Sequence, residues 1–229
     1  MGKDSLSINN QLNDLYKSYL LQLKEVTSLN GELFSYPLLM QAFPDYDQVK
    51  YKVLYVGKET YGWLGTMNEQ ENLNVNYITE SYKEFKFGED YHGRNSPFWR
   101  FIRACYLQLN GEDYPLGYLW TNFSKCDSNK TTPTKELQQA NNIGFDLLID
   151  EINVVNPDAV IFLTGWDYEK QFQRVFQGLQ YHTIEENYLY QCVHPSLPVH
   201  SYMTMHPKGL QLRNKFYVIL ESIVNQITQ

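Results

Sequence analysis

"DAVIFLT", Asp158 to Thr164, decides the fold: between its polar ends every residue is apolar. A half-exposed strand alternates apolar and polar side chains, because one face meets water. This stretch leaves no face for water, so it is expected inside a parallel sheet covered on both sides. Working outward, Gly165-Trp166 ends the strand and a helix follows to about Phe176. Upstream, Pro133 sits at a helix start with Glu136 in the first turn, and that helix runs through Leu137, Ile143, Leu147, Leu148 and Ile152 to Val155.

"VLYVGKETYGW" (Val53–Trp63) also opens as a strand, Lys52 to Gly57, and then turns polar. "GYLWTN" (Gly117–Asn122) is a second short strand. Between them, Ser96-Pro97 opens a helix through Phe98, Phe101, Ile102, Cys105 and Leu109, closed by Asn110-Gly111. Apolar residues at helical spacing from Ser5 to about Leu29 predict an N-terminal helix ending near Asn30-Gly31. Gly62 to Asn95 lacks a clear period and reads as a long loop with at most a short helix. A strand pair, Asn187–Val193 and Ser201–Met205, precedes a final helix from Leu210 to Ile227. Strands alternating with helices predict an α/β fold: a three-layer α/β/α sandwich with a mostly parallel four-stranded central sheet. One domain spans residues 1–229, with residues 1–30 as a helical extension packed on it.

The composition sets limits on function. The chain has 229 residues, 43% hydrophobic and 20% charged, with a formal charge of −7. That charge argues against a protein coated in basic patches, while leaving room for a small basic mouth on an acidic body. Cys105, Cys126 and Cys192 are widely separated, which reads as reduced thiols in a cytoplasmic protein. The opening "MGKDSLSINN" has no apolar signal core, and no run approaches membrane-spanning length. A cytoplasmic monomer with no membrane contact is expected.

In parallel sheets, ligands sit at the carboxyl ends of the strands. The predicted strands end in Gly57-Lys58-Glu59, Thr121-Asn122, Gly165-Trp166 and Met205-His206-Pro207. A carboxylate, a carboxamide and an imidazole are therefore expected on one rim.

These residues resemble the uracil-DNA glycosylase superfamily. "GKETYG" (Gly57–Gly62) resembles the family's first motif, with Glu59 at the catalytic carboxylate and Tyr61 at the Tyr that crowds the base pocket. "LWTNFSKC", "PTKEL" and "NPDAVIFLTG" are similar to the iron–sulfur branch, and Asn122 matches the Asn that reads the base. "TMHPKGLQLRN" resembles the closing motif, with His206 as the catalytic His and Leu210 as the wedge that fills the space of a flipped base. His194, in "HPSLP", is a rival for that histidine.

The resemblance implies a hydrolase that cleaves the N-glycosidic bond of a flipped uracil or damaged base in DNA. Glu59 and His206 would be catalytic. Asn122, Tyr61 and Phe98 would hold the base, with Trp99 the fallback for the ring, and Lys58, Lys208, Leu210 and Arg213 would contact DNA. The partner is DNA, single- or double-stranded, or a free nucleobase. The alternative is a non-catalytic nucleobase-binding or scaffold protein on the same fold. The chemistry suits the residue types: bond cleavage builds positive charge on the sugar and negative charge on the base, which a carboxylate and a hydrogen-bond donor respectively stabilise. Glu59 is one methylene longer than the family's Asp, and Thr60 and Gly62 also depart from its pattern. No metal or cofactor is expected, because Cys126 alone matches the cluster ligands. A basic rim of Lys58, Lys125, Lys130, Lys208, Arg213 and Lys215 is expected around the cleft.

Overall fold

Asp158–Thr164 does lie within a parallel sheet, and that sheet is wider than four strands. The computed structural model describes residues 4–28, 34–67, 73–87, 95–128 and 135–229. Its strands are β1 (Val53–Gly57), β2 (Leu119–Asn122), β3 (Ala159–Phe162), β4 (Gln180–Glu185), β5 (Leu189–Val193) and β6 (His200–Thr204). They form one six-stranded sheet in the order β2-β1-β3-β6-β5-β4. The first four of that order run parallel, and β5 and β4 add an antiparallel hairpin at one edge. The sequence reading missed β4 for a physical reason. "QYHTIE" lies at the sheet's edge and is mostly exposed, so it carries no apolar alternation.

The helices are α1 (Ser5–Ser28), α2 (Val75–Phe87), α3 (Pro97–Asn110), α4 (Lys135–Val155), α5 (Glu169–Val175), α6 (Pro207–Leu212) and α7 (Phe216–Thr228). They cover both sheet faces, as alternation along β2 shows. Trp120 packs on Trp99 of α3, with ring centroids 4.8 Å apart. Thr121 points the other way and donates to Glu151 of α4 at 3.3 Å. On that second face Glu151 pairs with fully buried Lys125, and the Tyr16 hydroxyl of α1 lies 3.0 Å from its other oxygen. Such a buried pair offsets its desolvation only while every partner stays in place, and removing one costs about 3–5 kcal/mol. Lys125 is therefore an interior residue, a correction to its place in the expected basic rim. Lys130 lies outside the described residues, as do Pro133 and the expected helix end at Asn30-Gly31.

The expected loop Gly62–Asn95 contains the 13-residue helix α2. Its buried face is Val75, Ile78, Tyr82 and Lys86, and a lysine at a core position hides the helical period. What α2 covers explains the lysine. The Tyr82 hydroxyl donates to the Trp120 carbonyl at 3.0 Å and accepts from the Trp120 N–H at 3.1 Å, and Lys86 donates to the Tyr118 carbonyl at 2.7 Å. These bonds satisfy the free edge of β2, which would otherwise present unpaired backbone groups. The final helix is likewise two helices. Asn214 adopts φ 56°, a left-handed conformation that ends α6 before α7 begins.

Asn141 of α4 holds the loop after β2, its oxygen accepting from the Cys126 N–H and its nitrogen donating to the Cys126 carbonyl, each at 3.1 Å. Among the described residues no three His, Cys, Asp or Glu side chains gather as metal ligands, and no helix is long and apolar enough to cross a membrane.

Candidate functional site

The chain passes from β1 to β2 on one side and to β3 on the other, so strand order reverses at the carboxyl end of β1. That is where a parallel sheet opens a crevice. A cavity of about 610 Å³ lies there, lined among others by Glu59, Asn122, His206, Phe98 and Tyr61. The carboxylate, carboxamide and imidazole expected on one rim therefore meet in one space. His194 belongs to the opposite end of the sheet. It follows β5, which runs antiparallel to β6, and its Nδ1 accepts from the Ser196 N–H at 3.1 Å. His206 is thus the histidine of this site.

Glu59 stands on the turn after β1. The turn is anchored below by Ser124 N–H donating to the Lys58 carbonyl at 2.8 Å. Above, Asp127 accepts from the Thr60 hydroxyl and from the Gly62 N–H at 2.8 Å. Thr60 is therefore a buried tie that holds the loop. Lys58 pairs with Asp167. The Tyr168 hydroxyl donates to Glu59 at 3.3 Å, and both residues belong to turns at strand ends. Partial desolvation raises the Glu59 pKa above its usual value, opposed by the Tyr168 hydrogen bond, with Asp127 adding a smaller upward push.

Asn122 ends β2 opposite Gly57, and the two strands place them as register partners. It is only 2% exposed, and its Nδ2 has no hydrogen-bond partner among the described residues. The indole N–H groups of Trp63 and Trp120, which line the same cavity, are also buried without partners among those residues. An unsatisfied buried donor costs about 1–3 kcal/mol. Asn122, Trp63 and Trp120 each carry one such donor and all three line the cavity. Gly57 makes the arrangement possible: a Cβ there would lie 2.3 Å from Asn122 Oδ1 and 3.2 Å from Phe98 Cζ.

His206 precedes α6, and its Nδ1 accepts from the Lys208 N–H at 3.3 Å. That bond leaves the neutral ring's proton on Nε2. Burial, then Lys58 and Lys208, lower its pKa to about 4, so the ring is an uncharged donor at neutral pH. The Phe98 ring lies parallel to it, 12° between planes and 5.8 Å between centroids. Phe98 meets Trp99 and Trp120 edge-on, which makes one cavity wall almost wholly aromatic. Trp99 is buried behind it. Tyr61, 79% exposed, stands at the lip.

One expected DNA contact is corrected. Leu210 is 0% exposed, buried in the hydrophobic core, and it cannot reach a base stack; the exposed leucine of this segment is Leu212. Lys58, Lys208 and Arg213 do flank the site, lining a second cavity beside the first. Sequence reasoning missed Trp120, although it shares a strand face with Asn122 two residues on. Tyr168, Asp127 and Trp63 carried no local signal.

Comparison with protein-family models and with curated proteins gives no match.

Proposed function

We propose that the chain is a divergent member of the uracil-DNA glycosylase superfamily, a three-layer α/β/α sandwich that hydrolyses the N-glycosidic bond of a uracil or damaged base held outside the stack. The observation that supports this reading is the meeting of Glu59, Asn122 and His206 in one aromatic-walled cavity, three of whose lining residues carry buried donors without a partner among the described residues. A pyrimidine with two carbonyl oxygens satisfies donors of this kind, and the aromatic wall receives its ring. Asn122 both donates and accepts, so it reads a base edge.

In the reaction, the C–N bond breaks with its electron pair moving to the base. Glu59 stabilises the sugar cation and takes a proton from the water whose oxygen bonds to the anomeric carbon. His206 donates from Nε2 to the base oxygen where negative charge gathers, and being neutral it gives a hydrogen bond without having to surrender its proton.

The test is a panel of uracil- and damage-containing oligonucleotides, single- and double-stranded, scored for abasic sites. The wild-type protein is expected to generate them on at least one member. Glu59→Gln keeps the shape and removes the charge, and should lower the rate at least ~10²-fold with binding retained. Binding without abasic product from wild-type protein would leave the non-catalytic reading in its place. Neither binding nor product would end the nucleobase reading altogether.

A further inference from the structure

The second cavity, about 540 Å³, shares Lys58 and His206 with the first, so the two are neighbours across a narrow divide. It lies over the carboxyl ends of β3 and β6 and is walled by the β4–β5 hairpin and α6. Three features set it apart from a surface dent. Thr164, in its floor, is fully buried and its hydroxyl has no partner among the described residues. Trp166 is held by Tyr181 and Tyr190, each in edge contact with it at centroid distances of 5.1 and 4.8 Å, yet remains 44% exposed. Gly165, at φ 65°, makes the sharp reversal that places this indole over the cavity rather than in the sheet's helical layer.

The charge is equally local. Lys58, Lys208 and Arg213 line the cavity, with Asp167 as the facing carboxylate, on a chain whose formal charge is −7. Lys215 sits close by, 5.3 Å above the ring of Tyr188 in the cavity wall. A rigid aromatic platform beside a group of cations is the chemistry that holds a nucleotide of a single strand, base on the ring and phosphate on the cations.

We propose that this second cavity is a subsite for the nucleotide next to the one in the first cavity, with the base on Trp166 and the linking phosphate at Lys208 and Arg213, so that the preferred substrate is single-stranded nucleic acid. A duplex keeps the neighbouring base paired and stacked on its own strand, and that base is then unavailable to Trp166. The inference rests on the nucleobase reading of the first cavity, and the test separates the two.

Binding of deoxyuridine monophosphate, of the dinucleotide thymidylyl-deoxyuridine and of a short uracil-containing oligonucleotide is measured, the last both single-stranded and as a duplex. Wild type, Trp166→Ala, Lys208→Ala and Asn122→Ala are compared, with thermal melting as the check on folding. The expected result is that Trp166→Ala weakens the dinucleotide and the single strand about 10-fold and leaves the mononucleotide unchanged. Lys208→Ala should weaken the mononucleotide as well as the dinucleotide and the single strand, because deoxyuridine monophosphate carries the same 5′-phosphate that links the dinucleotide, and should flatten their salt dependence. Asn122→Ala should weaken all of them. A mononucleotide that binds while Trp166→Ala leaves the dinucleotide unaffected would overturn the second subsite alone, as would a duplex bound more tightly than its single strand. Failure of every ligand to bind wild type would overturn both readings.

Discussion

Gly57→Ala puts a single methyl group where the fold leaves no space, and its effects on stability and on binding separate cleanly. The new Cβ would sit 2.3 Å from Asn122 Oδ1, about 1 Å inside the 3.4 Å at which ordinary contact begins, and 3.2 Å from Phe98 Cζ. Gly57 is not among the glycines with positive φ, so the effect is a clash and not backbone strain. Asn122 cannot retreat as a whole, because its backbone is paired with Gly57 across the β1–β2 ladder. Its side chain must rotate and Phe98 must shift. Overpacking of this kind costs about 1–3 kcal/mol, offset by roughly 0.4–1 kcal/mol from stiffening the unfolded chain. The net cost of up to ~2.6 kcal/mol should, for a chain of this length, lower the melting temperature by up to ~10 °C. The effect on turnover is larger, since a displacement of ~1 Å at a reacting centre costs on the order of 10²-fold in rate. Thermal melting measures the first effect, and fluorescence anisotropy and abasic-site formation with a uracil-containing single strand measure the second on the same sample. Lost melting temperature with unchanged affinity and turnover would show that Asn122 does not read the ligand. Unchanged melting and unchanged affinity together would show that Gly57 does not face Asn122 at this distance.

Two further outcomes follow from titrating groups. An NMR titration of the His206 ring should show a midpoint near pH 4 and no change between about pH 5.5 and 8, so that this residue adds no limb to a pH–rate profile in that range; a midpoint near 6.5 would mean that the ring is solvated and not the neutral donor described. Lys86 lies 3.9 Å over the Tyr118 ring, and burial lowers its pKa to about 7, against about 10.4 in an unfolded chain. Between those values the unfolded state binds more protons, so stability should rise with pH by up to ~1.4 kcal/mol per unit, and urea midpoints at pH 7 and 9 should diverge in wild type and converge in Lys86→Met. Equal pH slopes in the two proteins would rule Lys86 out as the group responsible.

By itself the sequence determined the strands whose burial is uniform and the helix ends whose caps are local. Asp158–Thr164 reads as a buried strand because each of its apolar side chains says the same thing. The helix from Pro97 reads to its last turn, because Ser96 accepts from the Trp99 N–H and Gly111 supplies the left-handed cap. Glu59, Asn122 and His206 were legible for a similar reason: a residue that directly follows a strand lands at that strand's carboxyl end whatever the rest of the chain does. Other features depended on what lies across space. Lys86 and Lys125 look like surface cations until a free strand edge and Glu151 are brought against them, and charge in a sequence does not reveal its partner. Leu210 looks like a wedge until Asn214 breaks the helix and turns it into the core. The donors of Trp63, Trp120 and Asn122, without partners among the described residues, come from distant parts of the chain, and only the fold gathers these residues around one cavity. Local propensity and burial pattern are properties of short segments. Hydrogen-bond satisfaction is a property of the assembled fold, so only the tertiary structure decided which buried polar groups are left without a partner among the described residues.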